Sequence, residues 1–145
     1  MSMYFIGIDI SKYKHDCCII SAANQKVVSK VLIKNNKAGF NELLTIIHSL
    51  ANPADIRIGF ESTAHYALNL ELFLENSLLT FMEVNPVLIS EYKKSKTLRR
   101  TKTDSVDCES IARWLMTVEY KPHSKGFYHA YSLKSLTRLR DKLIR

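Results

Sequence analysis

The sequence predicts an α/β domain, a mixed five-stranded sheet flanked by helices. Three observations carry this reading. Three short apolar runs follow one another closely at the N-terminus, two more are each preceded by an amphipathic stretch, and the total length fits one domain. At 145 residues a single chain buries roughly 70% of its unfolded surface, enough for a core without disulfide or metal support. An apolar content of 46% with only 4 Gly and 3 Pro excludes collagen-like and disordered classes.

Taken in order, residues 3–10 (MYFIGIDI) read as a buried strand and residues 15–22 (HDCCIISA) as a second. Asn24-Gln25 makes the turn to a third, residues 26–33. The short connections imply an antiparallel meander. Residues 38–50 place Phe40, Leu43, Leu44, Ile47 and Leu50 on one helical face, and Asn52-Pro53 stops that helix. Residues 55–61 (DIRIGFE) form a fourth strand. Residues 63–76 form a helix with Tyr66, Leu70, Phe73 and Leu74 inward, and residues 78–84 a fifth strand ended by Asn85-Pro86. Pro86 suits the first turn of a helix running to about residue 94. Residues 95–103 (SKTLRRTKT) are polar and unpatterned and read as a loop. A helix follows from Asp104 to about Val118, with Trp114, Ile111 and Leu115 in the core. Residues 119–129 read as a linker, and a last helix starts near Ser132 and is still running at Arg145. The expected division is a domain over residues 1–118, then a linker and the start of a helical segment over 119–145, with the native chain continuing beyond. Two helical crossovers after a meander make the ribonuclease-H-like fold the leading candidate.

The charge balance narrows the partners. Lys and Arg number 21 against 14 acids, a net charge of +7. This favours polyanions, nucleic acid before an anionic membrane. Cys17, Cys18 and Cys108 contain no CxxC pair, which argues against a zinc site or disulfide framework and for buried reduced thiols in a cytoplasmic protein. The N-terminus lacks a basic segment and meets Asp9 too early for a signal peptide. No apolar run approaches the ~20 residues of a membrane span.

Four carboxylates stand apart. Phe5, Gly7 and Asp9 share one strand face, as do Arg57, Gly59 and Glu61 on the fourth strand, because side chains alternate. Both strands thus end in Gly-x-acid, with the glycine expected to clear space beside the carboxylate. Asp104 and Asp107 follow at (i, i+3) on the first turn of a helix. Taken singly, each acid has a bland explanation: a turn for Asp9 and Glu61, a helix cap for Asp104 and Asp107. Taken together, they cannot converge without cations. Two carboxylates ~4 Å apart repel by roughly 4 kcal/mol at an effective dielectric near 20. An all-oxygen ligand set selects Mg²⁺ or Mn²⁺ over zinc.

The ordered segments Gly7-Ile8-Asp9-Ile10-Ser11-Lys12, Phe60-Glu61-Ser62-Thr63-Ala64-His65-Tyr66, Val84-Asn85-Pro86 and Lys102-Thr103-Asp104-Ser105-Val106-Asp107, with Ile111-Ala112 behind them, span nearly the whole chain. In that order they resemble the N-terminal DEDD domain of insertion-sequence transposases related to the RuvC-type Holliday-junction resolvases, the family described as bridge-RNA-guided recombinases. The resemblance implies that Asp9, Glu61, Asp104 and Asp107 are the D, E, D and D of a catalytic metal site. It implies DNA as substrate, a structured guide RNA and a homo-oligomer as partners, and a serine nucleophile in a domain beyond Arg145.

Beside the acids, Lys93, Lys94, Lys96, Arg99, Arg100 and Lys102 fall within ten residues without an intervening acid. They read as a solvated basic loop or as a track along a phosphate backbone. Tyr92 is a base-stacking candidate or packs on its own helix. His65, a turn past Glu61, is a packed or surface histidine before it is a site residue. The last helix is basic through Lys134, Arg138, Arg140, Lys142 and Arg145, and carries a stripe of Leu133, Leu136, Leu139 and Leu143. Two other readings remain. A non-catalytic guide-RNA or DNA-binding module would keep the basic tracks and use the acids only in folding. A sugar-kinase or actin-like fragment also opens on Gly-x-Asp, but it lacks a second glycine-rich phosphate loop here. If residues 93–102 bind by charge, Arg99→Ala with Arg100→Ala weakens binding alike for unrelated sequences. The slope of log affinity against log salt then flattens by roughly 0.7–0.9 for each phosphate that is no longer neutralised. An unchanged slope in a salt titration places the binding surface elsewhere.

Overall fold

The computed structural model of the chain describes residues 3–61, 66–96 and 107–122. The strands are β1 (Tyr4–Ile10), β2 (Lys14–Ser21), β3 (Val27–Lys34), β4 (Ile56–Phe60) and β5 (Met82–Glu83). The helices are α1 (Lys37–Leu50), α2 (Leu68–Asn76), α3 (Pro86–Lys96) and α4 (Cys108–Leu115). The sheet order is β3-β2-β1-β4-β5. β1, β2 and β3 form the expected antiparallel meander, and β4 and β5 add parallel to β1. The mixed five-stranded α/β architecture read from the sequence is thus the one present.

Helices cover both faces of the sheet, which is why β1 reads as a nearly continuous apolar run. On one face Ile6, Ile8, Cys17, Ile19, Ile33, Ile58 and Phe60 pack against Phe40, Leu43 and Ile47 of α1 and Leu70 and Leu74 of α2. Asn36 caps α1, its side chain accepting the Gly39 N–H at 2.9 Å. On the other face α4 lies across β1 and β2. Cys18 and Ile20 meet Cys108 and Ala112, while Ile111 and Trp114 pack with Val84 and Ile89, and Tyr92 leans on that cluster.

Both glycines of the Gly-x-acid pairs serve α4. A Cβ on Gly7 would stand 2.5 Å from the Ala112 nitrogen and closer still to the Cys108 carbonyl oxygen. The helix backbone therefore rests directly on the strand. At Gly59 the nearest atoms are side-chain methyls of Leu115 and Val84, at 3.2 Å. The space is cleared for the helix, and the carboxylates benefit because the helix delivers Asp107.

Four expectations need correction. Tyr66 is not inward. It is 39% exposed and precedes α2, and Ala67 takes the buried position with Leu70 and Leu74. The fifth strand shrinks from residues 78–84 to Met82–Glu83. Residues 78 and 79 instead finish α2, Leu78 N–H bonding the Glu75 carbonyl and Leu79 N–H the Leu74 carbonyl. Leu78 adopts φ 61° there, a Schellman ending normally given to glycine. With β5 so short, the Ile58 N–H turns to the Tyr120 hydroxyl at 3.4 Å, which also meets Thr80 Oγ1 at 2.9 Å. Next, α4 begins at Cys108, so Asp107 is its cap and not a first-turn residue. Last, Ser95 and Lys96, expected to open the loop, extend α3 instead. Asp104, His65, Arg99, Arg100, Lys102, the side chain of Lys96, the rest of that loop and the last helix lie outside the described residues.

Gly7→Ala is expected to destabilise the fold by about 1–3 kcal/mol, the scale of overpacking where backbone must move. Gly59→Ala should cost clearly less, because leucine and valine methyls can yield. Urea denaturation of the two variants checks the order, and equal losses would contradict it.

Candidate metal and nucleic-acid site

The parallel register pairs Gly7 with Gly59 and Ile8 with Phe60. Continued one step, it sets Asp9 level with Glu61 on neighbouring strands about 4.8 Å apart. Both side chains leave the sheet on the α4 side, at the C-terminal ends of β1 and β4. Ligand sites in open α/β sheets lie at those ends. Asp107 arrives from above, held by the seat of α4 on Gly7. Its Oδ1 accepts the Ser110 N–H at 2.8 Å, and Ser110 Oγ accepts the Asp107 N–H at 3.1 Å, a reciprocal capping box. The capping role open in the sequence is therefore real for Asp107, and it fixes where the carboxylate stands.

A fourth carboxylate, which sequence patterning does not single out, is Asp16. The antiparallel register places it directly opposite Asp9. Burial first, then the charges of Asp16, Asp107 and Glu61, push the Asp9 carboxyl above its ordinary 3.8. Asp107 goes the other way. Burial opposes its ionisation, but the Ser110 N–H and hydroxyl, with Lys93 and Lys30 nearby, outweigh it and hold the group below 3.8. Lys93, at the start of the predicted basic run, is thus in electrostatic reach of the acids, and Lys94 is exposed beside it. Only the register could have revealed Asp16.

A polar network around the buried His15 ties the turn after Asp9 to β3 and to Tyr66. The Ser11 N–H donates to His15 Nδ1 at 3.2 Å, and the Ser11 hydroxyl to the Lys14 carbonyl. That bond assigns the proton of the neutral imidazole to Nε2. Nε2 and Asn35 Oδ1 are both buried without a hydrogen-bond partner among the described residues. The Asn35 amide donates to the carbonyls of Lys12, at 3.0 Å, and Tyr66, at 3.3 Å. It therefore bridges the turn after Asp9 to the segment after Glu61. A groove of about 450 Å³ opens beside Glu61, lined by Met82, Glu83, Val84, Asn85, Pro86 and Lys121.

Among the described residues no three carboxylate, imidazole or thiolate groups already stand close enough to hold an ion. The donor chemistry nevertheless fits a hard cation. Every candidate ligand is a carboxylate, and beside the burial that chiefly raises Asp9, the charges of Asp16, Asp107 and Glu61 add a repulsion that a divalent ion would relieve.

A mixed sheet of this order, with helices on both faces, defines an α/β domain of the ribonuclease-H-like class. The sequence profile of the IS110-type DEDD transposases, described as Transposase, matches residues 6–145. The chain belongs to that family. It is 33% identical over 115 residues to the pilin gene-inverting protein of Moraxella bovis, covering 79% of this chain and 34% of that protein. The Moraxella lacunata protein of the same name gives the same identity and coverage. The chain spans about a third of the length of these curated relatives. T. thermophilus RuvC, solved in complex with a Holliday junction substrate, superimposes with TM-score 0.54 at 10% identity, over 83% of this chain and 99% of that one. That likeness establishes the ribonuclease-H-like fold.

The Asp9 pKa lies above its unfolded value, so its contribution to stability is complete below pH 3.8 and is lost as pH rises through the folded pKa. Asp107 contributes above pH 3.8, and its share is lost as pH falls through its lowered pKa. Asp9→Asn removes the first loss. At pH 7 without divalent metal the variant should melt at or a few degrees above the unaltered protein. Mg²⁺ or Mn²⁺ should raise the melting temperature of the unaltered protein and not of the variant. A metal-free variant several degrees less stable would contradict this account of Asp9.

Proposed function

We propose that this chain is the catalytic domain of a DNA transposase or recombinase that cleaves and transfers strands with divalent metal. The observation that carries it is the placement of Asp9, Glu61 and Asp107 toward one end of the sheet, with the Asp9 carboxyl raised first by burial and then by the charges of Asp16, Asp107 and Glu61. In this reading Asp9, Glu61, Asp104 and Asp107 hold Mg²⁺ or Mn²⁺. Bound there, such ions stabilise charge on the attacking and leaving oxygens of a phosphodiester. The chain's own part is placement. Gly7 seats α4, the Asp107–Ser110 box fixes one carboxylate, and the Asn35 bridge ties the turn after Asp9 to Tyr66. Lys93, Lys94, Lys96, Arg99, Arg100 and Lys102 serve the DNA backbone by charge. The finer features of the reading rest on the family resemblance. They are the catalytic unit over residues 1–118, a guide RNA, a homo-oligomer, and a serine nucleophile supplied outside residues 1–145.

One observation favours a second reading, a nucleic-acid-binding module without catalysis. Asp107 already commits one oxygen to capping α4. A single experiment separates the two. The full-length protein, its Asp9→Ala variant and residues 1–145 are incubated with donor DNA, target DNA, the element's RNA and Mg²⁺. Strand exchange should come from the unaltered full-length protein alone, with a loss of at least a hundredfold in Asp9→Ala. Full activity of Asp9→Ala would refute the role of the acids, and exchange by residues 1–145 would refute the outside nucleophile.

A further inference from the structure

The sheet topology gathers a second set of cations that the linear sequence scatters. β1 ends, β2 begins and β3 ends at the same edge of the sheet, the edge that carries Asp9. Lys14 pairs in register with Lys34, and Asp16 with both Asp9 and Leu32. Paired residues, and residues two apart on one strand, share a face. Lys14, Lys34, Asp16, Leu32 and Asp9 therefore all project on the α4 side. The Lys14–Lys34 pair lies about 7 Å along the strand from Asp16, and Asp9 one strand spacing of about 4.8 Å further.

This part of the face is open. α4 lies over β1 and β2, while on β3 Leu32 is 52% and Val28 48% exposed. Lys30 is engaged, reaching Glu109 of α4 at 3.0 Å. Lys12, Lys14 and Lys34 are exposed, and among the described residues none has a carboxylate within ion-pair distance. Next to them Tyr13 is 74% exposed, with Lys12 Nζ 5.2 Å from its ring centre. Lysines on an edge strand also discourage sheet-to-sheet pairing. That role asks for charge anywhere along the edge. It does not explain clustering at the catalytic end beside an exposed tyrosine.

From this placement we infer that Lys12, Lys14 and Lys34 form a second contact track for the DNA phosphate backbone, on the β3 side of the acids. The inference rests on the reading of the acids as a DNA-processing site. Lys93 and Lys94 stand on α3, so a DNA strand presenting a phosphate at Asp9 meets cations on both flanks. Tyr13 offers a ring against which a sugar or an unstacked base packs.

The test measures binding without chemistry, by fluorescence anisotropy of a labelled DNA duplex in EDTA across a salt series. Lys14→Ala with Lys34→Ala should lower affinity about tenfold at moderate salt. The slope of log affinity against log salt should become less negative by about 1.8, or ~0.9 for each of two phosphates. Lys14→Arg with Lys34→Arg should restore both. Lys26→Ala, an exposed lysine at the opposite end of the β2–β3 hairpin, should leave both unchanged. An unaltered slope in the double alanine variant overturns the track. So does an equal effect of Lys26→Ala, which would mean diffuse attraction. So does a loss confined to an RNA of the same sequence. Binding in EDTA is read without chemistry, which keeps the two readings separable. Cleavage that depends on Asp9 beside an indifferent lysine pair removes the track alone. A lysine-dependent slope in a protein that cleaves nothing removes the catalytic reading alone.

Discussion

The structure depends on one close approach, the backbone of the first turn of α4 lying on the bare Cα of Gly7. Any side chain at that position would lift the helix away from β1. The helix begins at Cys108, immediately after Asp107, so its height above the sheet sets the distance between that carboxylate and Asp9. The Cys18–Cys108 and Ile20–Ala112 contacts hold the helix from the β2 side. The exposed Lys30–Glu109–Arg113 set adds orientation more than energy, since surface ion pairs of this kind contribute little. A packing decision made in the core thereby becomes an electrostatic decision at the site.

Much of this was legible in the sequence because it depends on periodicity. The meander, the helical face of Phe40, Leu43 and Ile47, the core role of Trp114 and the repeated Gly-x-acid ending all follow from patterns of two or of 3.6 residues. What was hidden depends on pairing and on chain ends. Residues 78–84 are apolar enough for a strand, yet a left-handed Leu78 diverts the first of them to finish α2. Tyr66 fits a helical stripe, yet the turn before α2 directs it outward while its carbonyl accepts from Asn35. Asp16 lies in an alternating strand and looks like ordinary surface charge. Only the register with Asp9 makes it a neighbour. The same holds for Lys14 and Lys34, far apart in the chain and adjacent in the sheet.

The acids illustrate a general conflict between folding and function. A protein selected for stability alone would not set Asp16 across from Asp9 and bring Asp107 and Glu61 toward both. Here the strain is confined. Asp107 is relieved by its cap and by Lys93, Glu61 sits at the rim of an open groove, and the excess settles on Asp9. Under the proposed function, a divalent ion at that carboxylate would compete with a proton for it.

The short fifth strand has a mechanical consequence. Because β5 leaves much of the outer edge of β4 without strand partners, a tyrosine from beyond α4 does the work of a neighbouring strand. Its hydroxyl meets the Ile58 amide, and its ring lies under Arg57, with the guanidinium carbon 4.6 Å from the ring centre. The polypeptide leaving α4 is thus moored to β4, the strand that leads into Glu61. A displacement of Tyr120 would reach β4 at Ile58, three residues before Glu61. The strand is both a wall of the domain and a lever arm.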